Sequence, residues 1–236
     1  MKKHLLQLLI LALALPSFAL AAAKETKPKE DYYLVTMQTN KGTVQMRLFN
    51  DTPKHRDNFV KLINEGFYNQ LLFHRVISDF MIQCGDPDSR EALSVAHYGD
   101  NGAEHTIEPE ITPNHFHKRG ALAAAREGDD VNPDRLSSGS HFYIVVGYVH
   151  NDSTLQVARE RIEQSQGMEL TSEREKAYRT VGGTPHLDGS YTVFGEVTKG
   201  MAVVDKISQV RTTPSDRPRD DIYIKEISVE LIKAKK

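Results

Sequence analysis

Polar and apolar residues alternate near the start of the chain at the spacing of β-strands. Every second residue is apolar within 32–39 and again within 43–49, and Asn40, Lys41 and Gly42 separate the two runs. A period of two places successive side chains on opposite faces of a strand, and a short polar turn joins two such strands into a hairpin. The pattern therefore predicts a β-hairpin that begins near Tyr32.

After residue 50 the apolar spacing becomes that of a helix. One apolar face is formed by Phe59, Val60, Leu62 and Ile63. Thr52 suits the N-cap of this helix, Pro53 its first turn and Gly66 its end. A second helix is predicted at 201–210, where Val203, Val204 and Ile207 share a face.

Short apolar runs bounded by turn residues indicate further strands. These runs lie at 71–77, 80–83, 121–125, 142–146, 191–197 and 222–232. The alternation slips between Ile224 and Ile227, which predicts a β-bulge. Many short strands with two covering helices favour a mainly β fold, namely a closed or nearly closed antiparallel barrel.

The segment 152–181 differs from the rest because it is highly charged and has a helical pattern. Two capping boxes are predicted in it, formed by Ser153 with Gln156 and by Ser172 with Glu175. Its apolar stripe is narrow and consists of Leu155, Ala158 and Ile162. We interpret it as a helical surface insertion, because so few apolar residues cannot build the core of a second domain.

The first residues predict export. A basic start at Lys2 and Lys3 precedes an apolar run from Leu5 to Leu20 and small residues up to Ala23, which is the order of a secretory signal peptide. We expect a cleaved signal at 1–23, a flexible lead-in at 24–31 and a folded domain at 32–236. The protein should then be periplasmic, with no stable membrane insertion after cleavage; an uncleaved anchor is the alternative.

Composition is that of one globular domain, with 39% hydrophobic and 26% charged residues and a formal net charge of −2. Nothing in this charge balance suggests nucleic-acid binding. Cys84 is the only cysteine, so the chain cannot form an internal disulfide. His115 and His117 are close in sequence but lack metal-ligand spacing, and we interpret them as surface histidines beside a strand. A monomer without bound metal is expected.

Three separated segments carry a family resemblance. The first runs from Phe73-His74-Arg75-Val76-Ile77 through Phe80-Met81-Ile82-Gln83, the second comprises 120–126 with 138–144, and the third is 187–195. Together they resemble the cyclophilins over about 34–232. The resemblance implies peptidyl-prolyl cis–trans isomerase activity and a closed antiparallel eight-stranded barrel capped by two α-helices.

The resemblance also implies a set of site residues. Arg75 corresponds to the catalytic arginine, flanked by His74. The proline pocket corresponds to Phe80, Met81, Tyr143 and Leu187. The substrate chain would be held by Gln83 and by the backbone of Ala125 and Arg126.

Five positions around this site depart from the residues common in the family. They are Arg126 in place of asparagine, His141 in place of glutamine, Tyr143 in place of phenylalanine, His186 in place of tryptophan and Tyr191 in place of histidine. His141 matters most, because the family glutamine helps to position the substrate. The arginine and the centre of the pocket are retained.

Rotation about an X–Pro bond is limited by amide resonance, a barrier of about 18–20 kcal/mol. No bond breaks, so neither a nucleophile nor a cofactor is needed, and the partners expected are proline-containing polypeptides. A fixed donor near the prolyl nitrogen would stabilise the twisted amide, and arginine offers rigid, permanently charged donors.

Two hypotheses follow: an isomerase that assists folding of exported polypeptides, or a weakly catalytic proline-binding module of the same fold. A hydrolase is disfavoured because Ser140 lacks the Gly-x-Ser-x-Gly elbow. A thiol enzyme is disfavoured because Cys84 is expected to be a small buried residue.

Overall fold

The computed structural model describes residues 30–90, 98–164 and 168–234. Its strands are β1 (Tyr32–Thr39), β2 (Gly42–Leu48), β3 (Arg75–Ile77), β4 (Met81–Cys84), β5 (Thr106–Ile107), β6 (Ala121–Ala124), β7 (Ser137–Ser138), β8 (Phe142–Val145), β9 (Val193–Lys199) and β10 (Ile224–Ile232). Eight of them form one antiparallel sheet in the order β10–β1–β2–β9–β6–β8–β4–β3, and β5 pairs separately with β7. The predicted hairpin is confirmed as β1 and β2.

The helices are α1 (Pro53–Asn64), α2 (Asp152–Gln164), α3 (Ser172–Thr180) and α4 (Met201–Ser208). The apolar faces of α1 and α4 pack into the core through Phe59, Leu62, Val204 and Ile207. These are the two covering helices that the pattern predicts. The other two helices form the charged segment between β8 and β9.

The main sheet is a curled, open half-barrel, so the prediction of a closed barrel is wrong. Its two edge strands are β10 and β3. The segments that precede these strands meet at one bridge, Leu72 with Tyr223, where Phe73 N donates to Ile222 O over 2.8 Å. Gln70 N also donates to Ile224 O over 2.7 Å, and Ile224 N to Leu71 O over 3.0 Å, so the edges approach at this end although β3 and β10 themselves do not pair.

The core lies inside the curled sheet and is built by alternation. Val35, Met37, Val44 and Met46, on β1 and β2, have no exposed surface. Cys84 is buried in the same cluster, as predicted, and burial raises the pKa of its thiol far above the usual range.

The predicted bulge in β10 is confirmed. Gln38 pairs with Glu226 and Thr39 with Ile224, so one extra residue lies in β10 at that point. In the described ranges, no helix is both long and apolar enough to cross a bilayer. The predicted signal peptide and most of the lead-in lie outside the described residues.

Candidate active site

Four neighbouring strands bring a row of side chains to the outer face of the sheet. Arg75 on β3 lies opposite Gln83 on β4, Gln83 opposite Tyr143 on β8, and Tyr143 opposite Ala123 on β6. Directly opposed residues in antiparallel strands hold their Cβ atoms about 4.5–5.5 Å apart. The register therefore places an arginine, an amide and an aromatic ring in one line.

The same face carries an apolar cluster separate from the main core. It contains Met81, Ala121, Ala123, Tyr143, Val145 and Val193, with Phe80, Leu187 and Tyr191 packed against them. The cause is strand alternation: Ile82 and Cys84 point into the core, so Met81 and Gln83 point outward.

A pocket of about 130 Å³ opens on this cluster, and we call it the outer pocket. It is lined by Arg75, Phe80, Met81, Gln83, Ala125, Arg126, Tyr143, Leu187 and Tyr191. Met81 and Tyr143 are buried, whereas the other lining residues are partly exposed. The outer pocket thus suits one small apolar group held beside an accessible guanidinium.

Arg75 is held at the mouth of the outer pocket but is not covered. Its Nε lies 3.6 Å from Asp216 Oδ2, and the Arg75 side chain is 45% exposed. The carbonyl of Asp216 also accepts from Val76 N over 2.8 Å. An ion pair this exposed adds little to stability, so its main effect is to orient the guanidinium.

His74 and His141 do not line the outer pocket. His74 is buried, and its ring centroid lies 5.3 Å from that of His141. His141 Nε2 is 2.7 Å from the carbonyl of Asn101, and burial lowers the pKa of His141. His74 therefore flanks Arg75 along the chain but does not line the outer pocket.

His141 instead lines an adjoining cavity of about 610 Å³. This cavity shares Gln83, Ala125 and Arg126 with the outer pocket. A substrate chain bound in the outer pocket would reach His141 through the adjoining cavity. His141 therefore does not contact the group that occupies the outer pocket.

The backbone of Ala125 and the side chain of Arg126 are engaged within the protein. Ala125 N donates to His141 O over 3.0 Å, and Ala125 O accepts from Ser138 N over 2.9 Å. Arg126 Nε donates to Ser190 O over 2.8 Å, and its guanidinium lies 4.6 Å from the centroid of the Tyr191 ring. Arg126 therefore supports Tyr191 in the pocket wall.

His186 lies next to the outer pocket and not in its lining. Its ring stacks against Phe80, with centroids 5.8 Å apart and planes 21° apart. Burial, reinforced by the charge of Arg161, lowers the pKa of His186 to about 4. The neutral imidazole thus supports the apolar wall that Phe80 and Leu187 form.

A buried hydrogen-bond network behind the outer pocket is not anticipated by the sequence analysis. The Tyr143 hydroxyl lies 2.9 Å from His117 Nε2, and His117 Nδ1 lies 3.0 Å from Asp188 Oδ1. Tyr178 donates to Asp188 Oδ2 over 2.7 Å. A carboxylate only accepts, so Nδ1 carries the proton and Tyr143 donates to Nε2.

The interpretation of His117 as a surface histidine is therefore wrong, since it is 1% exposed. Tyr143 was the residue in the sequence that could have indicated this network, because a buried tyrosine hydroxyl needs a hydrogen-bond partner.

His115 is also engaged in contacts within the protein: its ring stacks on Phe49 with centroids 3.8 Å apart, and it pairs with Asp51. Within 30–90, 98–164 and 168–234, no three metal-ligating side chains group together.

A second buried group of hydrogen-bonded side chains has the arrangement serine–histidine–carboxylate. His55 Nδ1 lies 2.7 Å from Glu110 Oε2, and His55 Nε2 lies 3.0 Å from Ser137 Oγ. His55 and Ser137 are each 2% exposed, and the cavity beside His55 holds only about 10 Å³. No substrate can reach this serine, so the set is structural.

Comparison with known proteins shows the family of this chain. The family model for cyclophilin-type peptidyl-prolyl cis-trans isomerases matches residues 34–229. A Staphylococcus aureus protein named as a peptidyl-prolyl cis-trans isomerase is 36% identical over 197 residues, covering 83% of this chain and 91% of the relative. A Streptococcus pyogenes protein, named as a bifunctional phosphatase/peptidyl-prolyl cis-trans isomerase, is 35% identical over 198 residues, covering 83% of this chain and 38% of that protein.

Solved structures show the same fold. A cyclophilin-type isomerase of Cryptosporidium parvum matches with a TM-score of 0.61 and 24% identity, covering 84% of this chain and 98% of that one. A second structure, of the Cryptosporidium protein in the presence of the dipeptide Ala-Pro, matches with a TM-score of 0.59. The chain belongs to the cyclophilin-type peptidyl-prolyl cis-trans isomerases. It is an enzyme that catalyses cis–trans rotation about X–Pro peptide bonds.

Proposed function

We propose that the outer pocket is the site of proline isomerisation and that Arg75 is its catalytic group. The observation that carries this is the cross-strand row, which sets an oriented, accessible guanidinium at the mouth of a small apolar pocket. Met81, Tyr143, Phe80 and Leu187 hold the pyrrolidine ring. Gln83 and the backbone of Arg126 hold the flanking chain.

Arg75 acts on the twisted state of the amide. When resonance is broken, the lone pair localises on the prolyl nitrogen, and a fixed N–H donor stabilises it there more than in the planar ground state. The ring stays still in the pocket while the preceding carbonyl turns. Each 1.4 kcal/mol of such selective stabilisation gives about a tenfold higher rate.

The substrates we propose are exported polypeptides, and the protein itself is periplasmic and monomeric. Support comes from the basic, apolar and small-residue order of 1–23. The mass of protein recovered from the exported fraction tests this: loss of about 23 residues supports a cleaved signal, whereas a full-length mass in membranes supports an anchor.

Arg75→Ala tests the catalytic assignment. We expect the rate constant for isomerisation of a short X–Pro peptide to fall by at least tenfold, with little change in KM, because the donor acts in the transition state. Arg47→Ala is the matched control, since Arg47 is also an exposed, ion-paired arginine on a strand but lies on β2, remote from β3 in the sheet.

Thermal melting of both variants separates catalysis from folding. An unchanged rate in a folded Arg75→Ala protein would remove Arg75 from its role. Peptide binding without turnover in the wild type would favour the weakly catalytic binding module instead.

A further inference from the structure

A groove lies beside the outer pocket, between α2 and the segment 147–150. Its volume is about 230 Å³, and its lining includes Tyr148, His150, Val157, Ala158, Arg161 and His186. We call it the insertion groove, because α2 belongs to the charged insertion between β8 and β9. It is built by residues that take no part in the proposed isomerisation step.

The insertion groove adjoins the outer pocket. His186 lines the groove, and the next residue, Leu187, lines the pocket. The His186 ring stacks on Phe80, which is also in the pocket lining. Since consecutive Cα atoms are 3.8 Å apart, a chain with its proline in the pocket reaches the groove within a few residues.

One wall of the insertion groove is apolar, exposed and held in place. Tyr148 is 46% exposed and Val157 is 48% exposed. The Tyr148 ring stacks on His150 with centroids 4.4 Å apart, and His150 Nε2 lies 3.0 Å from Gly183 O. Exposed apolar surface beside a binding site is typical of an interaction surface, and a fixed ring binds at low entropic cost.

The groove also carries a positive charge. Two other arginines of the insertion are ion-paired, Arg159 with Glu175 and Arg179 with Asp152. Arg161, which lines the groove, makes no ion pair with any residue in the part of the chain that the structure describes. A guanidinium without a carboxylate partner favours an acidic group on the bound chain.

We propose that the insertion groove binds the polypeptide segment that flanks the isomerised proline, and that it favours an apolar residue next to an acidic one. The apolar side chain lies against Tyr148 and Val157, and the carboxylate pairs with Arg161. This inference rests on the proposed function of the outer pocket. It gives the insertion a role in substrate choice that the half-barrel alone does not provide.

Five synthetic peptides with one Ala–Pro bond test this specificity. One is a four-residue peptide, and the other four extend it with Leu–Glu or Leu–Gln, placed close to the proline and either before or after it. We expect wild type to isomerise a Leu–Glu peptide about two- to fivefold faster than its Leu–Gln counterpart in at least one placement. The preference should shrink at 1 M salt, since surface ion pairs are screened there.

Arg161→Gln should bring the Leu–Glu to Leu–Gln rate ratio to about one. Arg159→Gln is the matched control: it removes the same charge from the same helix but outside the groove lining, so the ratio should persist. Equal rates for both peptides in wild type, in both placements, would overturn the proposal, as would a preference that survives in Arg161→Gln. A wild type that fails to isomerise the four-residue peptide would instead count against the function of the outer pocket.

Discussion

Three histidines have pKa values below their usual range, and removal of the ring from water is the first cause in each case: His55, His141 and His186. Each is therefore neutral in the folded protein at pH values where it is protonated in the unfolded chain. The folded state binds fewer protons than the unfolded state in that window. Stability rises with pH there and is lost as the pH falls.

His186 allows this linkage to be measured. Its folded pKa is about 4, against an unfolded value near 6.5, so its effect lies between pH 6.5 and pH 4. We expect the free energy of unfolding of wild type to fall between pH 7 and pH 4.5, and His186→Gln to remove about 2 kcal/mol of that fall. Urea unfolding at both pH values checks this; equal pH dependence in wild type and variant would contradict it.

Which site residues could be predicted depends on how far apart their partners lie in sequence. Phe80, Met81 and Gln83 belong to one contiguous motif and line the outer pocket together with Arg75. The Asp188 network escapes such analysis, because its histidine is 71 residues away along the chain. His74 directly precedes β3 and is buried, whereas Arg75, the first residue of β3, is exposed.

At the level of elements, strand and helix positions follow from the pattern, whereas helix caps do not. Asn151 and Thr154 cap α2 reciprocally over 3.0 Å, and Thr171 caps α3. The predicted boxes at Ser153 and Ser172 are thus shifted along the chain. Several polar residues lie in succession at each start, and packing, not sequence order, selects which of them caps.

Helix α1 gives a sharp test of capping. Thr52 occupies the N-cap position, but its side chain makes no capping bond. Glu110, from a distant loop, accepts from Lys54 N and His55 N over 2.9 Å each. We expect Glu110→Ala to cost about 1–3 kcal/mol of stability, since the first turn of α1 and the buried His55 ring lose their acceptor.

Thr52→Val is the matched variant for this test. Thr52 Oγ1 is buried without a hydrogen-bond partner among the described residues, so an apolar isostere should be neutral or stabilising. Urea midpoints of both variants measure the difference. A large loss from Thr52→Val with none from Glu110→Ala would reverse the assignment.

For the whole molecule, the insertion is bound to the half-barrel more closely than its composition suggests. Leu155, Ile162, Leu170 and Tyr178 form a buried cluster with Phe116 packed against it. The predicted narrow stripe is present, but it packs against a residue far away in sequence. Such long-range partners are not visible in a local pattern, which is also why the short strands and two covering helices led to the wrong prediction of a closed barrel.

Shortening the insertion tests how closely it is coupled to the site. Tyr148 and Gly183 are bridge partners, so a short Gly–Ser linker can replace 152–180. The main core cluster contains no residue of this segment, and the shortened barrel should therefore still melt cooperatively. Its activity should nevertheless fall, because α2 packs against the Pro185–Leu187 turn and Asp188 loses the hydrogen bond from Tyr178.

We expect the shortened protein to isomerise a four-residue X–Pro peptide about three- to tenfold more slowly, since Leu187 and Tyr143 are held less firmly. Tyr178→Phe in the intact chain is the matched control: it removes only the Tyr178–Asp188 bond and keeps α2 against the turn, so its loss should be the smaller of the two. Peptide rates and thermal melts of both proteins decide the matter. Full activity in the shortened protein would show that the outer pocket is fixed by the barrel alone, and loss of a cooperative melt would show that the insertion is part of the folding unit.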